Sequence, residues 1–170
     1  MPKFRWSSRR AAKARGCITA ADTKHDTYGI KLEGIRASLK HVDYLLPSYE
    51  EAAYLTGETD LPGISEALMA AGAKTVVIKL GARGCYLRTD RAAGVIEGFE
   101  AAAVDTTGAG DNFVAGFLTG LLGGWDAERC CRFANAVGAV SVTAVGSTAA
   151  VKSMAQVMDY MGHSRTRAGT

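Results

Sequence analysis

The nine-residue stretch Asp105-Thr-Thr-Gly-Ala-Gly-Asp-Asn-Phe carries the most chemistry in this 170-residue chain. A hydrophobic strand ends near Val104, three residues with little or no side chain follow, and a mostly apolar helix is expected to begin at about Asp111. Such a turn aims the N–H groups of Gly108, Ala109 and Gly110 at a helix N-terminus, where the macrodipole favours negative charge. Only residues with minimal side chains let a phosphate approach the backbone closely. Asp111 places a carboxylate in that anion site. Beside a bound phosphoryl group it could take the proton of an attacking hydroxyl, and as a helix cap it would do no chemistry. Spacing alone leaves both roles open.

Two common phosphate motifs are excluded. No G-x-x-x-x-G-K-[ST] occurs, and Phe113 stands where a dinucleotide fingerprint needs its third glycine. A second glycine turn, Lys79-Leu-Gly-Ala-Arg-Gly, follows the most apolar strand, and a hairpin explains it equally well. Cys17, Cys85, Cys130 and Cys131 form no C-x-x-C pair, and His25, His41 and His163 are scattered. Neither set has metal-ligand spacing.

Around these residues the pattern is that of an α/β protein. Short buried strands are expected at 17–21, 42–46 and 75–80, and helices at 30–39, 49–56, 61–71, 127–144 and 151–161. Ser48 and Glu51 form a capping box for the helix that ends at Gly57. Gly81 and Gly84 turn the chain into a following strand, and another strand pair is expected around 94–104. The continuous apolar run Thr75-Val-Val-Ile-Lys-Leu reads as a strand covered on both faces. Strands alternating with helices imply a parallel sheet flanked by helices.

The net charge of +3 divides unevenly along the chain. Residues 1–15 hold Lys3, Arg5, Arg9, Arg10, Lys13 and Arg15 and no acid, so the remainder is mildly acidic. The leader reads as a ragged helix start, and neither nucleic acid nor a membrane is an expected partner. The apolar run 112–125 is shorter than the ~20 residues of a spanning helix. Its Gly116-x-x-x-Gly120 spacing fits close packing inside a core. Unpaired cysteines without a secretory signal suggest a reducing, cytoplasmic setting, and a homodimer is compatible with the sequence.

Five stretches, in order, resemble the PfkB carbohydrate kinases of the ribokinase-like fold. Asp105-Thr-Thr-Gly-Ala-Gly-Asp111 resembles the family's second signature, and Leu46-Pro-Ser-Tyr-Glu-Glu-Ala its Pro-Asn-x-x-Glu segment. Val77-Ile-Lys-Leu-Gly-Ala-Arg-Gly is similar to the strand and turn along the nucleotide phosphates. Ala134-Asn-Ala-Val-Gly-Ala is similar to the helix flanking the adenine, and Ala144-Val-Gly-Ser to the turn beside a monovalent cation. The resemblance implies ATP-dependent phosphorylation of a primary hydroxyl on a sugar-like acceptor, with a nucleoside or vitamin kinase and a non-catalytic nucleotide-binding remnant as alternatives. It implies Asp111 as base, and Gly108, Ala109 and Gly110 as anion hole. It implies Lys79, Gly81 and Gly84 along the phosphates and Asn135 and Gly138 at the base. It also implies Glu51 organising Mg²⁺ through water, and Asp105 at a K⁺-type site. Ser48 departs from the family's usual Asn.

The same resemblance sets the expected organisation: a basic leader at 1–15, the C-terminal half of a kinase domain at 16–162 and a tail at 163–170. A Rossmann-type parallel sheet lacking the family's opening strands and β lid is the expected fold. Weak ATP binding and poor sugar phosphorylation by the isolated chain are the corresponding expectation.

Overall fold

The computed structural model describes residues 7–24 and 29–167. Lys3 and Arg5 of the basic leader, His25, and the tail residues 168–170 lie outside the described residues, and so does the side chain of Arg9. The chain divides into two compact units. One is Met1–Ile78 with Arg88–Ala93, the other Lys79–Leu87 with Gly94–Thr170.

The first unit opens with helix α1 (Ser7–Ala14), then β1 (Ala20–Ala21), α2 (Lys31–Leu39), β2 (Tyr44–Leu45), α3 (Tyr49–Thr56), α4 (Leu61–Ala70) and most of β3 (Thr75–Lys79). β1 and β2 run parallel, Ala20 opposite Tyr44, and β2 and β3 run parallel, Tyr44 opposite Thr75. Val76, Val77 and Ile78 are fully buried, as their unbroken apolar run requires of a strand covered on both sides. The expected helix 49–56 is observed with both halves of its capping box, and Gly57 closes it in the left-handed region at φ 80°. β1 and β2 are shorter than the expected strands. Thr19 instead spends its backbone N–H and its hydroxyl on the Asp43 carboxylate.

That carboxylate organises the unit. Lys13 Nζ lies 2.7 Å from Asp43 Oδ2 and Lys74 Nζ 3.1 Å from Oδ1. Burial pushes the Asp43 carboxyl upward, but the donors from Lys13, Thr19 and Lys74 outweigh it and hold the group well below the usual carboxylate range. Lys13, read from the sequence as part of a ragged helix start, is therefore an ion-pair partner inside the fold.

The second unit contains the turn Gly81–Arg83, β4 (Gly84–Arg88), β5 (Ala93–Glu97), α5 (Ala109–Leu122), α6 (Ala127–Ser141) and α7 (Met154–His163). Only the outermost residues of β4 and β5, Arg88 and Ala93, group with the first unit. The Leu80 N–H donates to Gly84 O at 2.8 Å and closes the expected glycine turn. The strand pair expected at 94–104 is not formed. β5 stops at Glu97, and Phe99 makes an antiparallel bridge to Thr166 instead. The segment 165–167 is thus pinned: Glu100 N–H donates to Arg165 O and Arg167 N–H to Gly98 O.

α5 and α6 are the tightest helix pair. A Cβ built on Gly116 would meet Val137 Cγ2 at 2.8 Å, and one on Gly120 would meet Cys130 Sγ at 2.8 Å. The glycine spacing therefore serves close approach within the unit. α6 stops at Ser141, earlier than expected, where the Val142 carbonyl receives the N–H groups of Val104 and Asp105. The four cysteines are free. Burial first, then Asp126, pushes the Cys130 thiol up to about 11, and a hydrogen bond with Cys85 together with burial raises Cys131. Both stay protonated packing groups. Among the described residues no helix is long and apolar enough to cross a membrane.

Candidate active site

Two loops of the second unit are locked together before any ligand is considered. Asp105 Oδ1 accepts the Thr107 N–H and Oδ2 accepts the Gly146 N–H, each at 2.9 Å. Asn112 Nδ2 donates to Gly108 O at 2.9 Å and to Ser147 O at 2.6 Å. Gly108 sits at φ 75°, and a Cβ there would lie 2.5 Å from Ser147 Cβ. Glycine is demanded twice here, by the left-handed backbone and by the neighbouring loop. The Gly146 N–H first, then the Thr107 hydroxyl and N–H, hold the Asp105 carboxyl down to about 2.

Those ties fix the start of α5. The helix begins at Ala109, two residues earlier than expected, with Gly108 as N-cap and no side chain capping it. Asp111 is consequently a first-turn residue and not the cap. The expectation of three free N–H groups at 108–110 needs one correction. The Ala109 N–H donates to Thr106 O at 3.1 Å, because the 106–109 segment forms a turn ahead of the helix. The groups that helix geometry leaves open are those of Gly110 and Asp111, since the Asn112 N–H already reaches back to Gly108 O.

Lys79 supplies the opposite charge. Its Nζ lies 3.6 Å from the position a Cβ on Gly110 would occupy. A Cβ at 110 would sit in ordinary contact with the ammonium, and glycine leaves that space open. An uncapped helix start and a lysine converge on one point, the arrangement an anionic phosphate requires.

From this point a cavity of about 230 Å³ runs through the unit. Its walls include Lys79, Gly81, Gly84, Ala109, Gly110, Asn135 and Gly138, all singled out by the sequence. Gly108, Asp105 and Asp111 do not line it; Asp111 is exposed at the helix mouth. Asn135 is buried, and its Nδ2 donates to Ile96 O and Glu97 O at 2.9 and 3.0 Å. The side chain thus holds the end of β5 in place while its helix forms a wall. Sequence reasoning missed Phe99, Val142 and Arg167 among the cavity walls, and Asn112 as the clamp between loops. Phe99 and Arg167 come together only through the antiparallel bridge, a long-range pairing with no local signal.

Glu51 belongs to the first unit. Its Oε2 accepts the Ser48 N–H at 3.0 Å and the Thr23 hydroxyl at 2.7 Å. The capping-box role is real, and Oε1 has no protein donor among the described residues. Among those residues no cluster of three His, Cys, Asp or Glu side chains could hold a metal ion. A magnesium ion here would need oxygens from phosphate and water, its usual ligands in phosphoryl-transfer sites.

Comparison with known proteins gives a consistent result. The family model for pfkB family carbohydrate kinases matches residues 8–154. The chain is 34% identical over 125 residues to the 2-dehydro-3-deoxygluconokinase of Bacillus subtilis, covering 73% of this chain and 39% of that protein. It is 34% identical over 131 residues to the ribokinase of Haemophilus influenzae, covering 74% and 42%. The structure of Arabidopsis thaliana ribokinase, solved with ribose and ATP, aligns with TM-score 0.82 at 28% identity over 93% of this chain and 52% of that one. The chain thus spans about two fifths to one half of the length of these relatives.

Proposed function

The chain belongs to the pfkB family of carbohydrate kinases, and from that premise we propose that it transfers the terminal phosphoryl group of ATP to a primary hydroxyl of a sugar-like acceptor. The observation that carries this reading is the convergence of Lys79 Nζ on Gly110, at an uncapped helix start whose first turn contains Asp111. In this reading the cavity takes the nucleotide. Gly81 and Gly84 line its turn side, and Asn135 and Gly138 belong to the α6 wall.

The phosphates lie at Lys79 and the start of α5. There the N–H groups of Gly110 and Asp111 meet the charge that develops during transfer, while Gly108 and Ala109 shape the loop that presents them. Asp111 accepts the proton of the acceptor hydroxyl as its oxygen bonds to phosphorus and the bond from phosphorus to the ADP oxygen breaks. Bound Mg²⁺ would neutralise phosphate charge. Glu51 is assigned to its water shell on family resemblance, and the lone pair at Oε1 fits that role. Asp105 has a remaining lone pair on each oxygen and is assigned on the same basis to a K⁺-type cation.

The test uses the purified full chain with ATP and a panel of sugars and nucleosides, following ATP consumption. Turnover on a sugar that falls ~10²–10⁴-fold in Asp111→Ala, with ATP binding retained, supports the assignment. ATP binding without turnover on any acceptor would reduce the chain to a nucleotide-binding unit.

A further inference from the structure

We propose that Arg167, on the C-terminal strap, is a nucleotide-binding residue whose guanidinium lies against the base. This rests on the nucleotide reading of the cavity given above. The cavity walls fall into two groups. At one side Lys79 Nζ approaches Gly110, and Gly138 faces Ala109 O at 3.9 Å from where its Cβ would be. That side carries the positive charge and the helix start, and it takes phosphate.

The other group surrounds Gly98. A Cβ there would lie 2.5 Å from Ala82 O and 2.8 Å from the Gly84 nitrogen. Asn135 holds the two carbonyls just before it, and Phe99 follows it as a buried wall. These walls offer apolar surface and amide donors already spent, and no cation apart from Arg167 is among them. A planar heteroaromatic base fits such a slot.

Arg167 is placed there by the backbone. Its N–H donates to Gly98 O at 2.8 Å, Thr166 bridges Phe99, and Glu100 N–H donates to Arg165 O. The side chain therefore leaves a fixed point on the cavity rim and lines the same space as Asn135 and Phe99. Among the described residues no acidic side chain forms an ion pair with it. A guanidinium is flat and weakly hydrated, so it stacks on a ring face where an ammonium does not.

The experiment measures binding of ATP and of adenosine to the full chain by calorimetry, for the wild type, Arg167→Ala, Arg167→Lys and Lys79→Ala. Arg167→Ala removes no backbone contact of the strap, and circular dichroism of each variant checks the fold. The proposal requires that Arg167→Ala weaken both ligands by roughly tenfold, that Arg167→Lys recover little, and that Lys79→Ala weaken ATP alone. Wild-type binding that Arg167→Ala leaves intact overturns the proposal and keeps the nucleotide reading. Loss confined to ATP places the guanidinium on phosphate and overturns the base contact. A folded wild type that binds neither ligand removes the nucleotide reading itself.

Discussion

The chemistry of the site turns on very few atoms. Lys79 and Asp111 carry opposite charges at one helix mouth, and each has a separable effect. On the proposed nucleotide reading, Lys79→Ala should lower ATP affinity by about tenfold through loss of a charge-assisted contact, measured by calorimetry. Asp105 shows how a carboxylate is used without being buried. Its folded pKa of about 2 lies below the ordinary aspartate value. A depressed carboxylate contributes to stability fully above its unfolded value near ~3.9, and the contribution is lost as pH falls through the folded one. The tie between the 105–108 and 146–147 loops is thus intact at neutral pH and lost only in strong acid. An NMR titration of the Asp105 carboxyl with a midpoint near 4 would contradict this.

At the scale of elements, glycines decide what packs and what binds. Gly116 and Gly120 let α5 approach α6. Gly116→Ala would drive a methyl into the β-branched Val137, whose χ1 is stiff, and costs about 1–3 kcal/mol by overpacking. Urea denaturation of the purified variant measures it. Gly108→Ala is worse in a different way. It meets Ser147 at 2.5 Å and forces an alanine to φ 75°, a conformation that alone costs roughly 1–2 kcal/mol. Because Gly108 sets the start of α5, this variant should lose ATP affinity along with stability, whereas Gly116→Ala should lose stability alone.

The two compact units invite separate tests of the whole chain. The first depends on the Asp43 cluster, which ties Lys13 of α1 and Lys74 before β3 to Thr19. Asp43→Asn breaks two ion pairs at a largely buried carboxylate and costs about 2 kcal/mol. The folded pKa is depressed, so the stabilisation is complete above about pH 4 and declines as acid protonates the group. Equal stability of wild type and variant in urea at neutral pH would contradict the assignment. The second unit contains the cavity, so on the proposed nucleotide reading ATP at a hundred times its Kd should stabilise it by about 2.7 kcal/mol. Hydrogen exchange with ATP should be slower than without it chiefly in α5, α6 and the Phe99–Thr166 pairing.

The sequence by itself determined the α/β class, the capping box at Ser48 and Glu51, the glycine turn at 81–84 and the small-residue turn ahead of α5. All of these are local: a capping box spans four residues, and a phosphate loop needs only small side chains ahead of a helix. Tertiary structure decided the rest. Asp111 became a first-turn residue because Ser147, far along the chain, holds Gly108 in the left-handed region through Asn112. Lys13 became an ion-pair partner because Asp43 is folded onto it, and Arg167 became a cavity wall because Thr166 bridges Phe99. Each depends on a pairing between residues distant in sequence, which no periodicity or spacing records.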